Sequence, residues 1–338
     1  MDTGRNAIDV PTAYDAYPLL DLIAGATDWT GAAAPDETFF LSVLSDFNRV
    51  PAEADRERQG VLNTLVLGRM MKTAVFNTDP AFQLPTGAGV FAGPQAEMYY
   101  GGGSYGGILG LTFAALSPDI SNAYEDMGGL GTLVLTTRSG DWGELAPVVE
   151  LSGITDPIQT ALTLSLASEF LSRALADGYV THITSNPLPG TNAKSVLLTM
   201  AWLDQSTPNL VTEIAARTLG LPNLGGSLRT NLPQIPDRPG PLSSAFVIYD
   251  TGAFDPDNPA HVPFIPPLAD LPPQQSADMC TPHWLRISIP AAAEQLQAFL
   301  RPGGQVENFC DGLCDAAEPL EIPYGAEAPC DPLAPSMP

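Results

Sequence analysis

Five consecutive residues constrain this chain more than any other feature: Gly102-Gly103-Ser104-Tyr105-Gly106. An aromatic stretch at 96–100 reads as a short strand just before them, and the apolar run at 108–115 reads as a helix just after. A serine on such a turn projects its oxygen clear of the backbone, and the turn calls for small neighbours because side chains at the flanking positions would collide. G-x-S-x-G alone is a weak signal; a strand before it and a helix after it are the context it requires. A Gly-rich phosphate loop is the competing reading, but the lysine of a P-loop is missing and the G-x-G-x-x-G spacing is only loosely matched. Ser104 therefore reads as a nucleophile, and the N–H of Tyr105 as a donor to the oxyanion its attack would create.

A serine nucleophile needs a base, and the sequence offers three histidines: His182, His261 and His283. On a sheet that carries such a turn, the base lies on a loop after the last strand and before the terminal helix. Thr281-Pro282-His283 occupies that position, ahead of a helix expected over 291–300. His261, within the Pro-rich stretch 255–273, is the alternative; His182 precedes the last strand and reads as a packing or capping ring. The imidazole in turn needs a carboxylate at the end of the penultimate strand to fix its tautomer. Asp204 directly follows the strand expected at 194–202, and Asp250 and Asp255 are the alternatives. Ser104, Asp204 and His283 run in the Ser, Asp, His order that accompanies a nucleophile elbow.

The remaining pattern alternates strands with helices. Strands are expected at 19–26, 96–100, 120–127, 195–202 and 244–250, and helices at 37–47, 56–76, 108–115, 156–176, 210–219 and 291–300. That order predicts an α/β fold with a reduced, mostly parallel sheet of about five strands flanked by helices. Residues 1–300 read as one domain, with a helical lid or cap over about 130–190, and 301–338 as a Cys/Pro-rich tail. Trp29, Tyr105, Trp202 and Trp284 each neighbour a site position, where they read either as a substrate wall or as core packing.

Composition excludes several partners. With 14 basic against 38 acidic residues the formal charge is −24, which repels phosphate backbones and anionic lipid surfaces. No stretch approaches the roughly 20 apolar residues of a membrane span, and no signal peptide is visible. The four cysteines, Cys280, Cys310, Cys314 and Cys330, read as two disulfides, with Cys310–Cys314 a local bridge and Cys280–Cys330 tying the tail to the body. The other two pairings stay open, and a zinc site is the competing reading. No metal or cofactor is called for; a calcium site at Asp255-Pro256-Asp257-Asn258 or at Asp311 and Asp315 does not follow EF-hand spacing.

The segment from Tyr99 to Gly110, continuing into Ala115-Leu116-Ser117-Pro118-Asp119-Ile120, resembles a group of secreted bacterial α/β hydrolases of the lipase or esterase type. Asp28-Trp29-Thr30-Gly31, Leu203-Asp204, Pro282-His283 and Phe309-Cys310-Asp311-Gly312 resemble that group in order and approximate spacing. The resemblance implies the α/β-hydrolase fold and a secreted or periplasmic origin. It also implies cleavage of small-molecule or polymeric carboxylic esters through an acyl-enzyme. One departure stands out: Asp28-Trp29 resembles the end of the family's fourth strand, so the earlier strands and the loop that donates the first oxyanion amide are missing. A substitute donor near 27–31, a homodimer formed through the exposed sheet edge, and a weakly active or non-catalytic binding module are the readings this leaves.

Overall fold

The computed structural model describes residues 22–91, 96–202, 204, 206–250, 283, 289–312 and 314. Six strands form one sheet in the order β1-β2-β3-β6-β4-β5: β1 (Met98–Gly103), β2 (Ile120–Asp126), β3 (Ser195–Ala201), β4 (Asn223–Leu224), β5 (Asp237–Arg238) and β6 (Ala245–Tyr249). Every ladder between these strands is parallel. The class is thus α/β, with six strands where about five were expected. Four of the expected strands are present, and the two additional ones are only two residues long.

The expected strand at 19–26 is the correction. Residues 19–21 lie outside the described set; from 22 to 29 the chain has no regular structure, and Ile23 is 49% exposed. An apolar run makes a strand only when it finds a ladder, and here β1 is the outer strand with no described strand beyond it.

Nine helices of α-type are present, counted among the described residues: α1 (Glu37–Ser45), α2 (Val50–Lys72), α3 (Ala74–Thr78), α4 (Tyr105–Leu116), α5 (Thr132–Arg138), α6 (Trp142–Glu150), α7 (Pro157–Leu171), α8 (Asn209–Leu219) and α9 (Pro290–Phe299). The helix α4 is buried at every position from Gly107 to Ala115, because it lies between the sheet and the outer layer. Its Ile108, Leu111 and Ala115 join Val61 of α2, Ala215 of α8 and the sheet residues Val196, Leu198 and Phe246 in the larger core. On the other face Leu197, Val247 and Tyr249 pack against Ala292 and Phe299 of α9. Val306 and Cys314 are fully buried in that second cluster, so the beginning of the expected tail belongs to the body. Cys310 and Cys314 are disulfide-bonded, as expected; Cys280 and Cys330 lie outside the described residues.

The expected cap region contains three helices, α5, α6 and α7. Asp156 starts α7 by accepting hydrogen bonds from the backbone N–H groups of Ile158 and Gln159, 3.0 Å each. No described helix is long and apolar enough to cross a membrane.

Ladder register decides where a site can form. Gly103 of β1 pairs with Asp126 of β2, Asp126 with Thr199 of β3, and Ala201 with Tyr249 of β6. The carboxyl ends of the four long strands therefore lie along one edge, where an open parallel sheet places its ligands.

Candidate active site

Ser104 sits between the last residue of β1 and the first of α4, with φ 57° and ψ −124°. A non-glycine residue held there is strained at a cost of order 1–3 kcal/mol, and it persists only where its surroundings over-determine it. They do so through hydrogen bonds on both sides of the serine. The Ser104 N–H donates to the Asp126 carbonyl (2.8 Å), its own carbonyl accepts from the Gly107 N–H (2.9 Å), and the Tyr100 hydroxyl donates to the Gly106 carbonyl (2.6 Å).

The steric demand falls on the motif's first glycine and on Gly107 just beyond it, not on its second glycine. A Cβ on Gly102 would come within 2.6 Å of the Gly106 carbonyl oxygen, and one on Gly107 within 2.7 Å of the Asp126 carbonyl oxygen. At Gly103 the nearest atom would be 3.6 Å away, and at Gly106 3.9 Å. The crowding therefore comes from the turn folding back on itself and from α4 approaching the end of β2, more than from the positions flanking the serine.

The N–H of Tyr105 lies at the first position of α4, where no intrahelical acceptor is available, and no described residue accepts from it. It is thus a donor at a helix N-terminus, immediately after the candidate nucleophile. Tyr105 is half-buried, and its hydroxyl, at the enclosed end, donates a short hydrogen bond to Glu57 of α2.

Asp204 follows β3 by three residues and is fully buried. One carboxylate oxygen accepts from the backbone N–H groups of Ser206 and Thr207, each at 2.9 Å. The other meets Nδ1 of His283 at 2.8 Å. The carboxylate is an acceptor, so Nδ1 carries the proton and Nε2 is left with its lone pair directed elsewhere. His283 is 1% exposed. Burial favours its neutral ring, but the carboxylate of Asp204, and beyond it those of Asp126 and Asp141, outweigh this and raise its pKa above the ordinary 6.5.

Two predicted site residues thus meet, and the structure places the third at the same sheet edge. Of the alternatives, His182 is bonded through Nδ1 to the Asn186 carbonyl (2.7 Å), in a turn before β3. Asp250 directly follows β6, and its N–H donates to the Cys314 carbonyl. His261 and Asp255 lie outside the described residues.

The aromatic candidates divide. Trp29 is 6% exposed and belongs to the larger core, which removes it from a substrate wall. Trp202 is half-buried, with the Arg229 guanidinium 4.5 Å above its ring, so one face is already covered. Trp284 lies outside the described residues. Among the described residues no group of three or more His, Cys, Asp or Glu is arranged to hold a metal ion.

Sequence reasoning missed three acidic residues around this site. Asp126, at the end of β2, accepts a 2.5 Å hydrogen bond from Thr199 and adds negative potential at His283. The register of two strand ends could have revealed it. Glu53 and Glu57, one turn apart on α2, are each 3% exposed and lie against the Tyr105 side of the turn. Nothing in their sequence context distinguishes them from solvated helix acids. No protein-family model, curated protein or solved structure matches the chain.

Proposed function

We propose that this protein is a serine hydrolase of the α/β-hydrolase fold that cleaves carboxylic esters. Ser104 is the nucleophile, His283 the base and Asp204 the residue that orients it. The observation that carries the reading is the joint presence of a strained serine between strand and helix and a buried His283–Asp204 pair at the same sheet edge. Strain of that kind is uncommon outside sites that use it.

In the proposed reaction Nε2 of His283 takes the Ser104 proton as Oγ attacks the ester carbonyl. The carbonyl oxygen becomes an oxyanion and accepts from the Tyr105 N–H at the α4 N-terminus. His283, now an imidazolium stabilised by Asp204, gives its proton to the departing alcohol. Water then repeats the sequence and releases the acid. The residues in these steps need no cofactor, and the acidic surface suits uncharged small-molecule or polymeric esters. The Cys310–Cys314 disulfide supports a secreted or periplasmic origin, and the outer position of β1 supports a homodimer through that edge.

A second reading, a folded but non-catalytic binding module, is favoured by that same outer position of β1, the strand that carries the elbow. Hydrolysis of a short-chain p-nitrophenyl ester by the wild type and by Ser104→Ala separates the two. Activity lost in the variant supports the esterase; equal inactivity in two folded proteins supports the binding module.

A further inference from the structure

The carboxyl groups of Glu53 and Glu57 are buried with few partners. Neither oxygen of Glu53 has a hydrogen bond among the described residues, and Oε2 of Glu57 has none. Glu57 Oε1 accepts from the Tyr105 hydroxyl. Around the pair stand Arg56, whose Nε is 4.0 Å from Glu53 Oε2, and Asp36, which is ion-paired to Arg56 and accepts from the Gly31 N–H (2.7 Å). A buried carboxyl without full partnering costs more than an apolar side chain of the same size. A leucine against a phenylalanine would fill this space at lower cost, so the polar pair calls for a role beyond packing. Among the described residues, the pair's one side-chain hydrogen bond is to the side chain of the residue whose amide follows Ser104.

Resting on the esterase reading above, we propose that Glu57 is a positioning residue: it holds Tyr105, and with it the amide aimed at the oxyanion, from helix α2. It does so in its neutral form, so that ionising Glu57 itself ends activity on the alkaline side. A neutral carboxyl accepts the Tyr105 hydroxyl through its carbonyl oxygen and adds no charge. An ionised one places a buried negative charge beside the donor to a developing oxyanion and beside a second carboxyl one turn away. Burial pushes Glu57 up to about 8, with the Tyr105 hydrogen bond pulling it down and Glu53 pushing it further up. Burial likewise pushes Glu53 up to about 7, against Arg56 and with Asp36. Burial and the nearby carboxylates hold the Tyr105 hydroxyl well above its ordinary range, so it stays a donor throughout.

The test is the pH profile of kcat/KM for a short-chain p-nitrophenyl ester, from about pH 5 to about pH 9.5. It compares the full-length wild type, Glu57→Gln and Glu57→Leu, with folding checked by circular dichroism. Glutamine keeps the acceptor and cannot ionise, so Glu57→Gln retains a rate close to wild type near neutrality and loses the alkaline fall. Leucine removes the acceptor, and Glu57→Leu loses about tenfold or more in kcat with KM little changed. An alkaline fall that persists unchanged in Glu57→Gln overturns the proposal while leaving the esterase reading intact. So does a Glu57→Leu enzyme with wild-type kcat. If Glu57→Leu fails to fold, the Glu57→Gln profile decides alone. A wild type without Ser104-dependent hydrolysis removes the esterase reading and this proposal with it.

Discussion

Two buried acidic sites flank the Ser104 turn, and they are built in opposite ways. On one side both oxygens of Asp204 are partnered: two backbone amides at 2.9 Å and an imidazole nitrogen at 2.8 Å. On the other, Glu53 and Glu57 share one hydroxyl donor and a distant guanidinium, and three of their four oxygens have no hydrogen bond among the described residues. Burial and poor partnering push the α2 pair up to about 7 and about 8. Burial alone therefore does not define a buried acid: hydrogen-bond partners separate the two sides of the turn, and on the α2 side their scarcity favours neutral carboxyls.

The largest expected effect breaks the well-partnered side. Asp204→Asn keeps the shape but offers the imidazole a donor where it needs an acceptor, and kcat should fall by about 10⁴-fold. Steady-state kinetics check this, and a fall of less than about tenfold would mean that Asp126 or Asp250 orients His283 instead. The same histidine sets the acidic limb in the wild type. The base must be neutral and its pKa is raised, so activity falls as pH drops through a value above 6.5.

The next effect sharpens the poorly partnered side through stability. The unfolded chain releases the Glu57 proton near 4.5 and the folded chain near 8, so between those values the folded state binds more protons and stability falls as pH rises. At about 1.4 kcal/mol per pKa unit, the loss is on the order of a few kcal/mol. Glu57→Gln should therefore melt close to the wild type near pH 4.5 and clearly above it beyond pH 8. Parallel melting curves across that window would show that Glu57 does not hold a proton in the folded state.

Between the two sites lies the turn itself. Gly107→Ala forces a Cβ against the Asp126 carbonyl oxygen at 2.7 Å, which two backbones can relieve only by moving apart. A destabilisation of about 1–3 kcal/mol is expected by chemical denaturation, with a larger proportional loss of activity than of stability. The smallest effect is a control on α2. Asp55, 62% exposed and paired with Arg58 at 3.1 Å, is as acidic in sequence as its neighbours. Asp55→Asn should change stability by less than about 1 kcal/mol at any pH. A large change there would mean that the charge of α2, not burial, sets the behaviour of Glu53 and Glu57.

What the sequence made legible follows the same division. The Ser104 turn, Asp204 and His283 could be read because each is tied to local sequence order: a strand end, a glycine pair, a position shortly before the terminal helix. Glu53 and Glu57 could not, because their burial arises when the segment from Trp29 to Asp36 folds back over α2, bringing Gly31 against the Glu57 backbone at 2.9 Å from where its Cβ would be. Helices α5 and α6 were expected only as part of a helical cap over about 130–190, without bounds of their own, for local reasons: glycines surround them at 128, 129, 131 and 140, and α6 contains Gly143 and Pro147. Strands β4 and β5 are two residues each, too short for alternation to register, in a segment punctuated by Pro222, Pro233, Pro236 and Pro239.

The most direct test of the central claim is covalent capture of the nucleophile. The folded wild-type protein is incubated with a fluorophosphonate, and the modified residue is located by peptide mass spectrometry. The account predicts one phosphonyl adduct on Ser104, formed quickly in the wild type, slowly in Asp204→Asn and not at all in Ser104→Ala. An unmodified Ser104 in a folded protein, or an adduct at another serine, would contradict it.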